Sequence, residues 1–198
     1  MLYASGFDGT KIEATQGGRA VCPSCGDKVI AKCGEINAWH WAHESVAECD
    51  PWYEPMTAWH MMWQGIVKPQ FCEVVMPPHR ADIVGNDDLV IELQASPISV
   101  ETIMERESFY HMIWLFDVRK CLERIRLRPH ESYCSFRWFH PRRSLAWVTA
   151  PLFLDLGISI FKVEKIHNDD GPFCGWGNLW TYDRFIEEHL SSVVRGTP

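Results

Sequence analysis

The stretch that decides the fold is H-R-A-D-I-V-G-N-D-D-L-V-I-E-L-Q-A-S, residues 79–96. It predicts two short apolar strands joined by a polar hairpin turn, with Asp82 on the first strand and Glu92 and Gln94 on the second. Side chains two residues apart on a strand share a face, so Glu92 and Gln94 project together, and pairing of the strands brings Asp82 near them. Two carboxylates and an amide on adjacent strands can bind a hard divalent metal. The alternative to a metal site is that these side chains form an ordinary polar face of a hairpin.

The flanking sequence completes an α-β-β-β-α-β core. A helix is predicted over residues 55–67, where Trp59 and Trp63 belong to an apolar stripe with the spacing of core packing. A strand over 71–76 precedes the opening stretch. A second helix starting at Pro97 and a buried strand over 113–118 follow it. The predicted fold class is mixed α/β.

Upstream, C-P-S-C and H-W-A-H predict a zinc site. A C-x-x-C turn aims two thiolates at one point, and two imidazoles from a second element complete a tetrahedral shell. Four protein ligands leave no open position, so the zinc is expected to be structural. Cys33 or Cys49 remain alternatives to one of the histidines, and a reduced C-x-x-C beside two structural histidines is the bland reading. The predicted ligands are Cys22, Cys25, His40 and His43.

Composition separates a basic segment from acidic surroundings. The chain has 198 residues, 46% of them hydrophobic, and a net charge of −7. Residues 119–143 carry eight Lys/Arg against two Glu, whereas residues 1–118 carry seven basic and seventeen acidic residues. A basic segment beside an acidic site suits a metal-dependent phosphodiesterase, because cations neutralise phosphates; a solvated polar face is the alternative. No apolar run of membrane-spanning length and no signal peptide are apparent, so we expect no membrane partner.

The last third is expected to be a β-rich extension. Strands are predicted over residues 135–139, 145–148, 152–154 and 159–163, followed by a glycine-rich turn over 171–178 and a closing helix over 181–193. The resulting division is a zinc-binding β module (1–50), the αβββαβ core (51–118), and the basic segment with its β-rich extension and helix (119–198). Oligomeric state stays open.

Motifs in a fixed order resemble a known family. They are C-P-x-C, H-W-A-H, T-A-W-H-M-M-W-Q, H-R-A-D-I, I-E-L-Q-A-S-P-I-S and R-E-S-F-Y, within residues 1–118. This series is similar to competence protein CoiA-like proteins, which are predicted PD-(D/E)XK nucleases with an N-terminal zinc-binding module. The resemblance implies a restriction-endonuclease-like core and a cytoplasmic protein of a bacterial or phage-infected cell.

The resemblance also implies roles for individual residues. Asp82 and Glu92 would hold Mg²⁺ or Mn²⁺, and Gln94 takes the position usual for a lysine. The family pattern has an acid and a lysine where this chain has Ala58 and Gln64. Candidates for the missing acid are Glu54 and Glu73.

A metal-dependent nuclease acting on DNA is therefore the expected function. The metal would lower the pKa of a water, Gln94 would orient that water, and His60, Lys68 or solvent would accept its proton. His60 is otherwise a packing residue. One alternative is an inactive nuclease-fold protein that binds DNA or protein, and another is a zinc-centred adaptor.

Overall fold

The computed structural model describes residues 1–34, 39–45, 49–167 and 173–195. The chain forms two compact units, one from Met1–Val84 with Val193–Pro198 and one from Gly85–Ser192. The division into three parts expected from the sequence was drawn at the boundaries of motifs, not of compact units. It stays a prediction. Among the described residues no helix is both long and apolar enough to cross a membrane.

The first unit begins with a small antiparallel sheet. Its strands are hydrogen-bonded in the order β2-β1-β3-β4-β5. Trp41 is 2% exposed and packs in a core with Ala4, Cys22 and Val29. The strands are β1 (Tyr3–Ser5), β2 (Lys11–Glu13), β3 (Arg19–Val21), β4 (Lys28–Lys32) and β5 (His40–His43).

A helix and two strands complete the first unit. Helix α1 (Ala58–Ile66) begins three residues later than predicted, because the Thr57 hydroxyl caps it by accepting the backbone N–H of His60 at 3.3 Å. Trp59 and Trp63 are buried, as their spacing predicts. Strands β6 (Cys72–Met76) and β7 (His79–Val84) pair antiparallel.

The second unit begins with a parallel pair. Strand β8 (Val90–Gln94) is buried at every position and pairs parallel with β9 (Met112–Asp117). Helix α2 (Val100–Phe109), capped by Ser99, makes the crossover that parallel strands require. The succession α1-β6-β7-β8-α2-β9 is the predicted order of elements; that these elements form a nuclease core stays a prediction.

The remaining strands extend the sheet of the second unit. The order of hydrogen-bonded strands there is β10-β11-β14-β13-β12-β9-β8, and β12 runs parallel to β9. The remaining elements are β10 (Ile125–Pro129), β11 (Cys134–Trp138), β12 (Leu152–Asp155), β13 (Ile160–His167), β14 (Phe173–Trp180) and α3 (Tyr182–Leu190).

Two predictions in this region were wrong. The expected strand over 145–148 belongs to a 3-10 helix, Arg143–Trp147. Residues 173–178 of the expected glycine-rich turn belong to β14, and residues 171 and 172 lie outside the described residues. Gly175 and Gly177 fit a strand here because a Cβ atom at either position would collide with a backbone carbonyl of β13, that of Lys165 or Lys162.

Candidate functional site: a Cys/His centre and a buried carboxylate

Four side chains of the first unit converge to form what we call the Cys/His group: Cys22, Cys25, His43 and Cys49. Their ligand atoms all lie within 4.8 Å of one another. The Sγ atoms of Cys22 and Cys49 are 3.7 Å apart, and Cys25 Sγ is 3.4 Å from His43 Nε2. Tetrahedral zinc with bonds of about 2.3 Å to sulfur separates two sulfurs by about 3.8 Å and a sulfur from a nitrogen by about 3.6 Å. Donor types and spacings therefore fit a zinc ion.

A tight turn after β3 presents the first two thiols. The N–H of Cys22 donates to the Asp27 carbonyl at 2.7 Å, and the N–H of Gly26 donates to the Cys22 carbonyl at 2.9 Å. Gly26 has a φ of 78°, which favours glycine. The N–H of Ser24 approaches Cys22 Sγ at 3.4 Å. This is how a C-x-x-C sequence with a following glycine directs two sulfurs to one point.

The same turn tunes the acidity of one thiol. Burial raises the pKa of Cys22, but the backbone N–H groups of Cys25 and Ser24 outweigh it and lower this pKa to about 7. Burial, followed by the neighbouring Cys22, raises the pKa of Cys49 to about 12. A bound metal ion replaces such protons, because coordinated thiols are deprotonated.

His40, which we expected as the fourth ligand, lies outside the Cys/His group. Cys49 takes its place. The physical reason is strand alternation. His40 and His43 begin and end β5, and residues three apart on a strand project from opposite faces. H-x-x-H brings two imidazoles together on a helix but not here. Of the two alternatives to a histidine, Cys49 joins the group and Cys33 does not.

Residues 6–51 match the family model for the competence protein CoiA, N-terminal domain. The resemblance to the CoiA-like family is confirmed over this segment. All four members of the Cys/His group lie inside the CoiA-like segment, which ends before α1. No curated protein matches the chain, and no solved structure matches it either. Membership of the nuclease superfamily therefore stays a prediction.

Asp50 ties the end of the CoiA-like segment to β7. Its Oδ1 is 3.0 Å from His79 Nδ1, and its Oδ2 accepts the N–H of Arg80 at 3.0 Å. The His79 ring stacks on Trp52 at 3.2 Å between centroids. Asp50 directly follows the metal-ligand candidate Cys49, so the Cys/His group and the strand that carries Asp82 are anchored to each other through one carboxylate.

Asp82 belongs to the first unit and lies half-buried on β7. The register pairs Cys72 with Ile83 and Val74 with Ala81, and Glu73 between them has a φ of 49°, which departs from regular strand geometry. Burial raises the pKa of the Cys72 thiol, and the carboxylates of Glu73 and Asp82 raise it further. Lys11 and Arg195 lower the same pKa, and Arg80 interacts with both carboxylates, so cations of the first unit offset part of this negative charge.

Glu73 itself holds the N-terminal strand. Its Oε2 accepts the backbone N–H groups of Leu2 and Tyr3, each at 2.8 Å, and the residue is 3% exposed. Both bonds are charge-assisted and buried, hence strong. The structure gives this candidate for the missing acid a packing role that accounts for its burial.

Glu92 and Gln94 lie on β8 in the second unit, on the same face as predicted from their spacing. Glu92 is 2% exposed, and its Oε2 accepts a hydrogen bond from Arg106 Nη1 at 2.6 Å. Arg106 comes from α2 and is 4% exposed. The pair satisfies the rule that a buried charge needs an opposite charge. Nothing in the sequence pattern alone indicated this contact between α2 and β8.

Gln94 is anchored at the end of β8, with help from the basic segment. Its Nε2 donates to the Ser96 carbonyl at 2.9 Å. Arg142 donates to the same carbonyl at 2.9 Å and to that of Ala95 at 2.8 Å. At least one arginine of the basic segment therefore orders the loop that follows the E-L-Q sequence.

His60 and Glu54 are brought together at the start of α1. His60 Nε2 is 4.0 Å from Glu54 Oε2. The backbone N–H of Thr57 donates to His60 Nδ1 at 3.4 Å. The 4.0 Å between His60 Nε2 and Glu54 Oε2 is too long for a hydrogen bond, and the proton-accepting role expected of His60 stays a prediction.

Gln64 is a feature that sequence reasoning treated only as a departure from a pattern. It is fully buried in α1, and neither atom of its amide has a hydrogen-bond partner among the described residues. Leaving buried polar atoms without partners costs about 1–3 kcal/mol each.

Proposed function

We propose that the protein is a metal-dependent nuclease that hydrolyses phosphodiester bonds of DNA. The observation that carries this proposal is the composition of β8, where a carboxylate and an amide, Glu92 and Gln94, are buried in an otherwise apolar strand. Burying such groups costs free energy, and a functional site accounts for that cost better than packing does. The order of elements around β8 supports the same reading.

The residues present fit a hard cation by donor type. Asp82, Glu92 and Gln94 offer the oxygen atoms that Mg²⁺ and Mn²⁺ prefer. A carboxylate has acceptor sites on both oxygens, so the hydrogen bond from Arg106 does not exhaust the capacity of Glu92. When bound, the cation would polarise a phosphoryl oxygen and lower the pKa of a water.

The chain's own residues supply the remaining tasks. Gln94 orients the attacking water, since an amide both donates and accepts. We assign to Glu54 or His60, which lie 4.0 Å apart, the uptake of a proton that an amide such as Gln94 cannot take at neutral pH. Arg106 fixes the carboxylate of Glu92 in one orientation, and Arg142 holds the loop after Gln94. The cations of the basic segment neutralise phosphates.

The second candidate function is a catalytically inactive nuclease-fold protein that binds DNA or another protein. Two observations favour it. Arg106 already compensates the charge of Glu92, and the first turn of α1 contains no acid, because Ala58 stands where the family pattern has one.

Cleavage assays separate the two candidates. The zinc-loaded chain is incubated with labelled DNA with and without Mg²⁺ or Mn²⁺, beside Asp82→Asn, Glu92→Gln and the matched control Glu187→Gln, an exposed Glu of α3. We expect metal-dependent cleavage that Asp82→Asn and Glu92→Gln reduce at least 100-fold and Glu187→Gln leaves unchanged. Cleavage that persists in both site variants overturns the residue assignment. No cleavage by the folded wild-type chain favours the second candidate.

A further inference from the structure

One face of the second unit's sheet is lined by exposed cationic side chains. Paired residues of antiparallel strands share a face, so the register defines two rows across β10, β11, β14 and β13. One row consists of Arg126, Arg137, Cys174 and His167, and the next of Arg128, Ser135, Trp176 and Lys165. Arg126, Arg128, Arg137, Lys165 and His167 are all exposed. We call these two rows the basic face.

The opposite face of the same strands is the core. Phe136 and Trp138 are 3% and 1% exposed. Phe136 packs edge-on against Phe161 at 5.6 Å, and Trp138 does the same against Phe173 at 6.1 Å. Buried residues therefore alternate with more exposed ones along β11, and the basic face is not needed to fill the interior.

The like charges of the basic face lower the stability of the sheet. Arg126 and Arg137 are directly opposite each other, and like charges in that relation destabilise a sheet. None of the described acids forms an ion pair with Arg126, Arg128, Arg137 or Lys165. The nearest acid in the register, Glu164 at the bulge of β13, pairs with Lys162 at 3.0 Å. An anionic ligand bound to the basic face would offset this repulsion.

Aromatic rings stand among these cations. Trp176 is 37% exposed and Tyr133 is 41% exposed, with ring centroids 6.1 Å apart. His130 stacks on Tyr133 at 4.4 Å and its Nε2 is 3.2 Å from the Ser135 hydroxyl. Exposed rings beside arginines offer surfaces on which unpaired bases stack.

We propose that the basic face binds single-stranded nucleic acid. Successive phosphates contact Arg126, Arg128, Arg137 and Lys165. Bases stack on Trp176 and Tyr133. A duplex does not expose base faces to such rings, so a single strand makes both kinds of contact and a duplex makes one. This site differs from the carboxylate site and needs no catalysis.

Binding of the full-length, zinc-loaded chain to labelled oligonucleotides of about 16 nucleotides tests the proposal by fluorescence anisotropy. DNA and RNA single strands and the matching DNA duplex form three arms, all without added divalent cation, so the result does not depend on cleavage. The variants are Trp176→Ala and Arg126→Ala/Arg137→Ala. The matched control is Arg19→Ala/Trp147→Ala, which removes an exposed arginine and an exposed tryptophan that lie outside the basic segment. Circular dichroism melts verify that each variant folds.

The two test variants are expected to change different quantities, the affinity in one case and its salt dependence in the other. Trp176→Ala weakens single-strand binding about tenfold with an unchanged salt slope. The arginine pair reduces the slope of log K against log salt by about 1.4, because each phosphate contact contributes about 0.7 for single strands. The control changes neither. Tighter binding of DNA or of RNA identifies the preferred strand and supports the site in either case. The proposal is overturned if both test variants bind like the control, or if the duplex binds as tightly as the single strand and Trp176→Ala has no effect.

Discussion

The Cys/His group and the Glu92–Arg106 pair solve one electrostatic problem in opposite ways. The group gathers three thiols, which repel one another as thiolates form, and a bound metal ion would supply the positive charge that balances them. Glu92 receives its positive charge from the chain itself, at 2.6 Å from α2. The first region is therefore expected to depend on an added component for its fold, and the second is not.

The largest effect should follow the loss of one member of the Cys/His group. Structural zinc contributes about 10–16 kcal/mol in zinc-finger peptides, so Cys25→Ser is expected to abolish zinc binding and to unfold the sheet β1–β5, as a strong chelator should. Zinc content by mass spectrometry and circular dichroism melts measure both effects.

The matched controls are Cys33→Ser and His40→Ala. Both residues lie outside the Cys/His group, so both variants should retain one zinc ion per chain. Loss of zinc in His40→Ala would restore the ligand set expected from the sequence and contradict the arrangement with Cys49.

Breaking the ion pair should have the next largest effect. Arg106→Met leaves Glu92 as a buried charge without its arginine, which costs about 3–5 kcal/mol, measurable by urea denaturation. Arg19→Met is the matched control, because both partners of the Arg19–Glu44 pair are exposed and its loss should cost only about 1 kcal/mol. Equal losses in the two variants would mean that Glu92 does not depend on Arg106, and the contrast with the Cys/His group would fail.

Glu73 offers a third solution, a buried carboxylate compensated by backbone N–H groups. Glu73→Gln keeps the shape but removes the charge that both N–H groups contact, so we expect a loss of about 2 kcal/mol in the free energy of unfolding. Glu13→Gln, at a mostly exposed carboxylate, should change it by less than about 0.5 kcal/mol. A neutral Glu73→Gln variant would show that these two bonds contribute no charge-assisted stability.

The smallest expected effect is the pH dependence that His189 gives to the stability of the second unit. Burial among Phe153, Trp180 and Phe185 lowers the pKa of His189. Between this lowered pKa and the ordinary value of about 6.5, the unfolded chain binds a proton that the folded chain does not. Stability of the second unit therefore rises with pH in that window, by at most about 1.4 kcal/mol per pH unit, and is lost as the pH falls.

Urea denaturation of the wild type and of His189→Phe between pH 5 and pH 8 measures this dependence. The difference between the two isolates His189 from the release of zinc, which acid also promotes. His167→Gln, at an exposed histidine, should titrate like the wild type. A pH dependence that is unchanged in His189→Phe would exclude His189 as its source.

The sequence predicted what depends on local periodicity. The spacing of Trp59 and Trp63 and the apolar stretch around Glu92 placed α1 and β8 to within a few residues, because alternation and helical spacing report burial directly. The C-x-x-C turn was equally local.

Long-range choices escaped the sequence. Whether His40 or Cys49 joins the Cys/His group depends on β5 being a strand, and pairing Arg106 with Glu92 depends on how α2 packs on β8. The glycines of β14 resemble a turn until the carbonyls of β13 are in place. The relation of Asp82 to Glu92 stays a prediction.

Gly175 and Gly177 have a consequence for how this chain can vary. Any side chain at either position would meet the backbone of β13, and a backbone cannot rotate out of the way as a side chain can. A library that randomises the C-terminal strands should therefore recover these two codons almost unaltered. Trp176 between them, whose ring projects from the other face, should change freely under selection for folding alone. A tryptophan that is retained only when nucleic-acid binding is also selected would separate the two pressures within three consecutive residues.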